Sequence, residues 1–300
     1  MRCVVTGGCG FIGSRLVERL MQLGHSVVVL DDMSAGNAGE MNPSAESVVG
    51  SVADFDTVLA AARSADWIFH TAAWPRIERS VADPMGTHDV NVTGTLNVLC
   101  AAQQNGVRRV INSSSSSVYG DQPTHLMRED MTPSPKSPYA LQKLMGEQYA
   151  ELFARLHQMT VVSLRYFNVY GPGQPSEGAY ALVIPRFLRM KTEGQPLTVY
   201  GDGTQTRSYT HVSDVVAANI LAATAPLAAG SHTVLNIGTD VETSVNEIAA
   251  IIGGPIRHIV PNPRADFEEA RKAADYSRAR SVIGWKPRVS FATAIGSLTV

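Results

Sequence analysis

The chain has 300 residues, 44% of them hydrophobic and 17% charged, with a formal net charge of -2. That length supports a substantial core in one large domain or two interleaved ones. The charge balance excludes the basic field that draws nucleic acid or an anionic membrane surface. The three cysteines, Cys3, Cys9 and Cys100, are too few and too scattered for a disulfide framework or a zinc site. They read as small buried apolar residues in a reducing compartment, and no metal is expected. Met1 leads almost directly into a strand-like run, which leaves no room for a signal peptide. No apolar run approaches the ~20 residues of a membrane span. The expected location is the cytoplasm.

Through the first half, short β-rich runs alternate with helical stretches. Residues 3–6 predict a strand, 11–23 a helix, 26–30 and 47–49 strands, 54–63 a helix and 67–70 a strand. A helix over 84–105, a strand over 109–113, a helix over 138–157 and a sixth strand over 160–164 follow. This alternation predicts a parallel sheet covered on both faces by helices. After Arg165 the texture changes. Gly171-Pro172-Gly173, Gly194-Gln195-Pro196 and Gly201-Asp202-Gly203 cut the chain into short pieces. A helix over 211–225 and a buried strand over 234–237 come next, and the tail has weaker helical patterns and several prolines.

Gly7-Gly8-Cys9-Gly10-Phe11-Ile12-Gly13 follows the first strand and opens a helix. Gly7 suits a tight turn, Gly10 lets a pyrophosphate approach the backbone, and Gly13 permits close packing of helix on strand. The helix N-terminus then offers free N–H groups to phosphate. The second strand ends in Asp31-Asp32, about 20 residues onward, where a carboxylate accepts hydrogen bonds from an adenosine ribose. A negative charge there repels a 2′-phosphate, and no arginine follows nearby, so the expected cofactor is NAD rather than NADP. The fold class is therefore α/β: a Rossmann-type doubly wound parallel sheet over 1–165 and 207–238. A smaller, discontinuous α/β substrate-binding domain is expected over 166–206 and 239–300.

Ser113 to Ser117 ends the fifth strand, at the carboxyl edge where open α/β sheets bind ligands. Pro138, a good helix-starting residue, precedes Tyr139-Ala140-Leu141-Gln142-Lys143. Four-residue spacing puts Tyr139 and Lys143 on one helix face. A phenol titrates near ~10 in water, too high for a base at neutral pH. A nearby ammonium, together with a positive nicotinamide ring, favours the phenolate, and a serine hydroxyl can orient or relay the proton.

These residues resemble the extended short-chain dehydrogenase/reductase family, in particular its NAD-dependent nucleotide-sugar epimerases and dehydratases. The likeness is carried by Gly7 to Gly13, Asp31, Ser115, Tyr139 and Lys143. It extends through His70-Thr71-Ala72-Ala73 to Ser80, and through Leu164-Arg165-Tyr166-Phe167-Asn168-Val169-Tyr170-Gly171-Pro172. Tyr200-Gly201-Asp202-Gly203 to Arg207, His211-Val212 with Asp214, and Ile283-Gly284-Trp285-Lys286-Pro287 complete it. The resemblance implies a catalytic triad of Ser115, Tyr139 and Lys143. It implies that NAD is held by Gly7, Gly10, Phe11, Ile12, Gly13, Asp31, Asp32, Ser34, Ala72, Ala73, Asn91, Ser113, Tyr139, Lys143 and Tyr166. It places the sugar nucleotide, a UDP-sugar, on Ser80, Ser115, Ser116, Ser117, Asn168, Val183, Arg207, Arg264 and Lys272. A homodimer built on the helices over 84–105 and 138–157 is also implied, as is a place in polysaccharide biosynthesis. Two departures stand out. Gly50-Ser51 replaces the usual Gly-Asp near adenine, so that either adenine is held more loosely or Asp54 substitutes, and Arg207-Ser208 replaces the more frequent Arg-Asp.

The resemblance also separates reactions. The 4,6-dehydratases carry Asp-Glu directly after the triad hydroxyl residue, and the uronate decarboxylases carry Glu at the second of those places. Here both are serine, Ser116 and Ser117, so the acid/base pair is missing. A 4-keto intermediate with nothing to divert it turns over and is reduced on its other face, which inverts carbon-4. The alternatives are a decarboxylase or dehydratase that takes a carboxylate from elsewhere, and a non-catalytic NAD-binding regulatory protein, which the intact triad opposes. Near Ala274-Asp275-Tyr276-Ser277, a sugar-pocket position falls on Lys272 by one count and on Arg271 by another. A long cation pointing inward there would pair with a sugar carboxylate. The related uronate epimerases carry Thr at the place of Asn168 and an arginine near Gln174.

Overall fold

The computed structural model describes residues 1–34, 41–175, 182–262, 271–296 and 298. Seven parallel strands form the main sheet: β1 (Arg2–Thr6), β2 (Ser26–Asp31), β3 (Glu46–Val49), β4 (Trp67–His70), β5 (Arg109–Ser115), β7 (Thr160–Tyr166) and β12 (His232–Ile237). Their order is β3-β2-β1-β4-β5-β7-β12. The chain reverses its direction of travel between β1 and β4, and open α/β sheets bind ligands at such a switch point, beyond the strand carboxyl ends.

Strand alternation feeds two cores. On one face Cys3 and Val5 of β1 pack with Leu16, Val17 and Leu20 of helix α1 (Phe11–Gln22) and with Val215, Ala218 and Ala222 of α8 (Val212–Thr224). On the other face Val4, Val28 and Leu30 meet Val58 of α2 (Phe55–Ala61), Val98 and Leu99 of α5 (Gly94–Gln104) and Ala150 of α6 (Pro138–His157). Period-2 alternation of this kind is what a sheet covered on both sides requires. Cys3 and Cys9 are buried and Cys100 is partly buried.

The predicted helix over 84–105 is three pieces: α4 (Pro84–His88), a π-helical turn (Asp89–Thr93) and α5. A helix α3 (Ile77–Ala82) precedes them. Such π turns recur at functional sites, and this one carries Asn91.

The other strands make smaller sheets. β13 (Thr243–Ser244), β10 (Thr206–Arg207), β15 (Arg271–Ala274) and β6 (Leu126–Met127) lie side by side in that order. β8 (Val169–Tyr170) pairs with β11 (Thr210–His211), and β9 (Leu197–Tyr200) with β14 (Ile256–Ile259). Arg207 thus belongs to a small sheet, not to the returning main-sheet segment, and β6 joins that small sheet from within the first 165 residues. Helices α7 (Val183–Thr192), α9 (Val245–Ile252), α10 (Ser277–Ile283) and α11 (Phe291–Gly296) complete the fold. Trp285 is buried, and its indole donates to Asp214 O at 2.8 Å. The Asp214 carboxylate accepts from the backbone nitrogens of Arg288 and Val289, both at 3.0 Å. The motif pair at 214 and 283–287 is therefore a structural latch for the tail.

Candidate active site

A cavity of about 840 Å³ opens at the carboxyl ends of the main strands and runs out to the small sheet. That is near the upper end of the usual small-molecule range.

The glycine loop forms one end. Gly7 has φ +69°, and a Cβ there would stand 2.6 Å from Ala72 N. A Cβ on Gly13 would stand 2.0 Å from Gly7 O, so this glycine is needed for helix-to-strand packing. Gly10 differs: its Cβ would meet no backbone nearer than Gly7 O at 3.2 Å. Its bare face belongs to the cavity, at the N-terminus of α1. Asp31 is nearly buried, and its carboxylate accepts from Cys9 N at 2.9 Å and Met33 N at 2.8 Å. Those bonds aim a fixed anion into the cavity while leaving lone pairs for a diol. The glycine cradle and the aimed carboxylate fit a dinucleotide with a free adenosine 2′-hydroxyl.

At the adenine end Gly50 and Val52 line the wall. Asp54 does not substitute for the missing acid. Its carboxylate caps α2, accepting from Asp56 N at 3.1 Å and from Thr57 Oγ1 at 2.7 Å.

The other end holds the triad. Ser137 caps α6 through Ala140 N, and Tyr139 and Lys143 follow on one face of that 20-residue helix. Ser115 Oγ accepts from Ser117 N at 3.2 Å and from Ser117 Oγ at 2.9 Å. The Ser115 hydroxyl also lies near enough to the Tyr139 phenol to favour its ionised form. Burial raises the Tyr139 phenol above its ordinary value, opposed by the Ser115 bond and by the positive charge of Arg76. Lys143 Nζ donates to Ser113 O at 2.9 Å, and burial pushes its ammonium down to about 8. The sequence argument had Lys143 lowering the phenol. Lys143 Nζ stands 6.0 Å from the centre of the Tyr139 ring, and burial of the phenol opposes the ionisation that a nearby cation favours. Glu147, one turn beyond Lys143, grips Arg165 at 2.7 and 2.9 Å beneath the site.

A second layer aligns the walls. Thr95 Oγ1 donates to Asn91 O at 2.7 Å, so at 3.0 Å it accepts from His70 Nε2. His70 Nδ1 then accepts from Thr6 Oγ1 at 2.8 Å. This fixes the neutral Nε2–H tautomer, and burial pushes His70 down to about 3. Thr6 Oγ1 in turn accepts from Ala72 N at 3.3 Å.

Of the residues expected at the cofactor, Gly7, Gly10, Phe11, Ile12, Gly13, Asp31, Asp32, Ser34, Ala72, Ala73, Ser113, Tyr139, Lys143 and Tyr166 line this one cavity. Asn91 does not. It is buried behind the wall, bonded to both backbone groups of Trp74 and to Gln142 Oε1 at 2.9 Å. On the sugar side, Ser115, Ser116, Ser117, Asn168, Arg207 and Lys272 line the cavity. Ser80 and Val183 are not among the lining residues. Ser80 is fully buried; its hydroxyl donates to Ile77 O at 2.7 Å and accepts from Tyr139 N at 3.0 Å, so it acts by holding the start of α6. Arg264 lies outside the described residues. The pair left open by counting is resolved by strand parity. Arg271 faces out and pairs with Glu242, whereas Lys272 is 4% exposed, with Nζ 3.4 Å from Ser116 O.

Sequence reasoning included the loop after β4 in the likeness but gave no role to its residues 74–77. Trp74, Pro75, Arg76 and Ile77 all line the cavity. The available signal was an aromatic and a cation placed directly after Ala72-Ala73 at a strand's carboxyl end.

Residues 3–238 match the model of the NAD dependent epimerase/dehydratase family. The chain is 40% identical to the UDP-glucose 4-epimerase of Mycolicibacterium smegmatis, over 98% of this chain and 96% of that one. Among solved structures, it superposes with a TM-score of 0.92 on the UDP-glucose 4-epimerase of Thermotoga maritima, solved with UDP-glucose. That protein is 32% identical, with 99% of this chain and 96% of that one covered. It also superposes with a TM-score of 0.89 on MoeE5 in complex with UDP-glucuronic acid and NAD, which is 34% identical over 99% and 97% of the two chains.

Proposed function

The chain belongs to the NAD dependent epimerase/dehydratase family, and from that premise we propose that it inverts carbon-4 of a UDP-linked sugar through a transient 4-keto sugar. The observation that carries this reading is the gathering of Ser115, Tyr139 and Lys143 in a cavity whose other end is a glycine cradle with an aimed carboxylate. UDP-glucose 4-epimerases among its relatives support the same reaction.

In this reading Gly7, Gly10, Gly13 and Asp31 hold NAD, with Asp31 favouring a ribose hydroxyl over a 2′-phosphate. Bound NAD supplies reversible oxidation at carbon-4. Tyr139 takes the proton of the 4-hydroxyl and later returns it. Ser115 donates to the phenolate and steadies it, and Ser117 keeps the Ser115 hydroxyl turned that way. Lys143, with its ammonium against the Ser113 carbonyl, adds positive charge under the same pocket. Arg207 and Asn168 face the diphosphate and sugar. Ser80 and Asn91 are positioning residues, the first for Tyr139 and the second for the loop after β4.

Positions 116 and 117 provide no carboxylate for dehydration or decarboxylation. Exposed Met85 on α4 and exposed Leu141, Leu152 and Leu156 on α6 support the proposal of a homodimer across these helices. No helix among the described residues is long and apolar enough to cross a membrane.

The test is turnover of a panel of UDP-sugars followed by NMR. Wild type should give the C4 epimer alone, and Tyr139→Phe should lose about 10²–10⁴-fold in kcat, the usual worth of a positioned acid/base. A 4-keto-6-deoxy or decarboxylated product would replace this reading.

A further inference from the structure

A buried ion pair lies under the triad and takes no part in the reaction as derived above. Tyr139, Lys143 and Glu147 follow at four-residue spacing along α6, which puts them on one face of the helix. Glu147 and its partner Arg165 of β7 are each 4% exposed. Arg165 donates twice to the Glu147 carboxylate, Nε to Oε1 at 2.9 Å and Nη2 to Oε2 at 2.7 Å. The Ser114 hydroxyl donates to the same Oε1. Ser114 and Arg165 are register partners across β5 and β7, so one carboxylate ties two neighbouring strands to the helix that carries the base. Next to Ser114 on β5 stand Ser113, whose carbonyl accepts from Lys143, and Ser115 of the triad.

A buried ion pair has a weak claim on stability, because well-packed apolar residues of similar volume often serve as well or better. Its place gives this one another task. The hydrogen-bond partner of the Lys143 ammonium is a carbonyl, which carries no full charge. Burial drives that ammonium toward its neutral form, and the charge acting against burial is Glu147. The other titratable groups near Lys143 give no such support. Tyr139 on the same helix and Tyr166 on β7 are phenols raised by burial. His70 on β4 is neutral, and Arg76, which lines the cavity from the loop after β4, is itself a cation. On its far side Glu147 acts, together with Glu151 of α6, on His232 of β12, which burial keeps toward its neutral form. A neutral Lys143 would take from Tyr139 a nearby positive charge that favours the phenolate.

We propose that Glu147 is a positioning residue of the reaction: clasped by Arg165 and Ser114, it is the fixed counter-charge that keeps Lys143 an ammonium beneath Tyr139. This rests on the C4-inversion reading for the task of Tyr139, and on the geometry alone for the charge of Lys143. Arg165 and Ser114 serve by holding the carboxylate in place.

The experiment titrates Lys143 itself. Lysines stand only at Lys136, Lys143, Lys191, Lys272 and Lys286, so NAD-loaded protein labelled with carbon-13 at the lysine ε-carbon gives few NMR signals. The Lys143 signal is the one absent from Lys143→Arg. Glu147→Gln keeps the side-chain shape and an oxygen for Ser114, and removes the charge. It leaves Arg165 a buried cation without its anion, which costs stability, so Glu147→Gln combined with Arg165→Met is measured beside it. In each folded variant Lys143 should titrate about 1 pH unit or more below wild type, the lower end of the effect of one nearby charge. Arg165→Lys keeps the carboxylate paired and should leave the Lys143 titration where it is in wild type. In the double variant kcat at pH 7 should fall about 10-fold, the equivalent of one unit. A Lys143 signal that titrates as in wild type without the Glu147 charge would overturn the proposal. So would a downward shift of equal size in Arg165→Lys, which would assign the effect to disturbed packing. The titration decides the proposal whether or not wild type turns over. If wild type inverts no UDP-sugar, it is the C4-inversion reading that falls.

Discussion

The indole nitrogen of Trp74 donates to the Ser34 hydroxyl at 3.1 Å, joining the loop after β4 to the end of β2 across the cavity that both residues line. Arg79 lies over the same ring, 3.5 Å from its centre, and Asn91 holds the Trp74 backbone at N and O. The bridge spans the switch point of the sheet, where a dinucleotide lies in this fold class. Trp74→Phe keeps a ring and removes the donor. Dissociation of NAD should then quicken about 2–10-fold, the worth of one neutral hydrogen bond. Stopped-flow displacement checks this, and an unchanged rate would show that the bridge does not retain the cofactor.

Lys143 couples activity to stability. Its ordinary value of 10.5 falls to about 8 on folding. Below pH 8 the ammonium is charged in both states, so the cost of burying it is then fully present. As pH rises from about 8 through 10.5, the folded protein gives up its proton first and the cost fades. The shift corresponds to roughly 3 kcal/mol. Lys143→Met should lose about 100-fold or more in activity and yet be more stable than wild type at pH 7, with the gap narrowing toward pH 10. Denaturant unfolding at the two pH values measures it, and a variant less stable at pH 7 would refute the assigned cost.

His70 acts in the opposite pH range. Neutral in its threonine clasp and held down to about 3, it stays unprotonated when the unfolded chain takes up a proton near ~6.5. The unfolded state then binds more protons, so stability falls as pH drops from about 6.5 toward about 3. His70→Gln removes this titration. The variant should lose less stability than wild type between pH 7 and pH 4, as read from thermal unfolding. Equal losses would assign the acid sensitivity to other groups.

Local spacing made much of this legible. The glycines at 7, 10 and 13 and the acid at 31 read directly, because strand, turn and helix are contiguous there. The Tyr139–Lys143 pair read directly because helix geometry places i and i+4 together. Whether Lys272 or Arg271 points inward was not legible. A slip of one residue reverses every side chain of a strand, and the parity of β15 is set by pairing with β10 and β6, far away in sequence. Ser80 and Asn91 carry polar groups in the right segments, but only the packed structure shows their hydrogen bonds turned toward protein. The burial that raises the Tyr139 phenol was not legible either, because no spacing reveals it. The π turn that places Asn91 has no local signal that we can identify.

The most direct test of C4 inversion is the fate of the hydrogen on that carbon. A UDP-sugar carrying deuterium at carbon-4 is incubated with the protein in ordinary water, and the epimer is examined by proton and deuterium NMR. Oxidation and re-reduction inside one closed cavity predict an epimer that keeps its deuterium at carbon-4, with none lost to solvent. Deuterium washed out of that position, or transferred to carbon-6 with loss of water, would contradict the account.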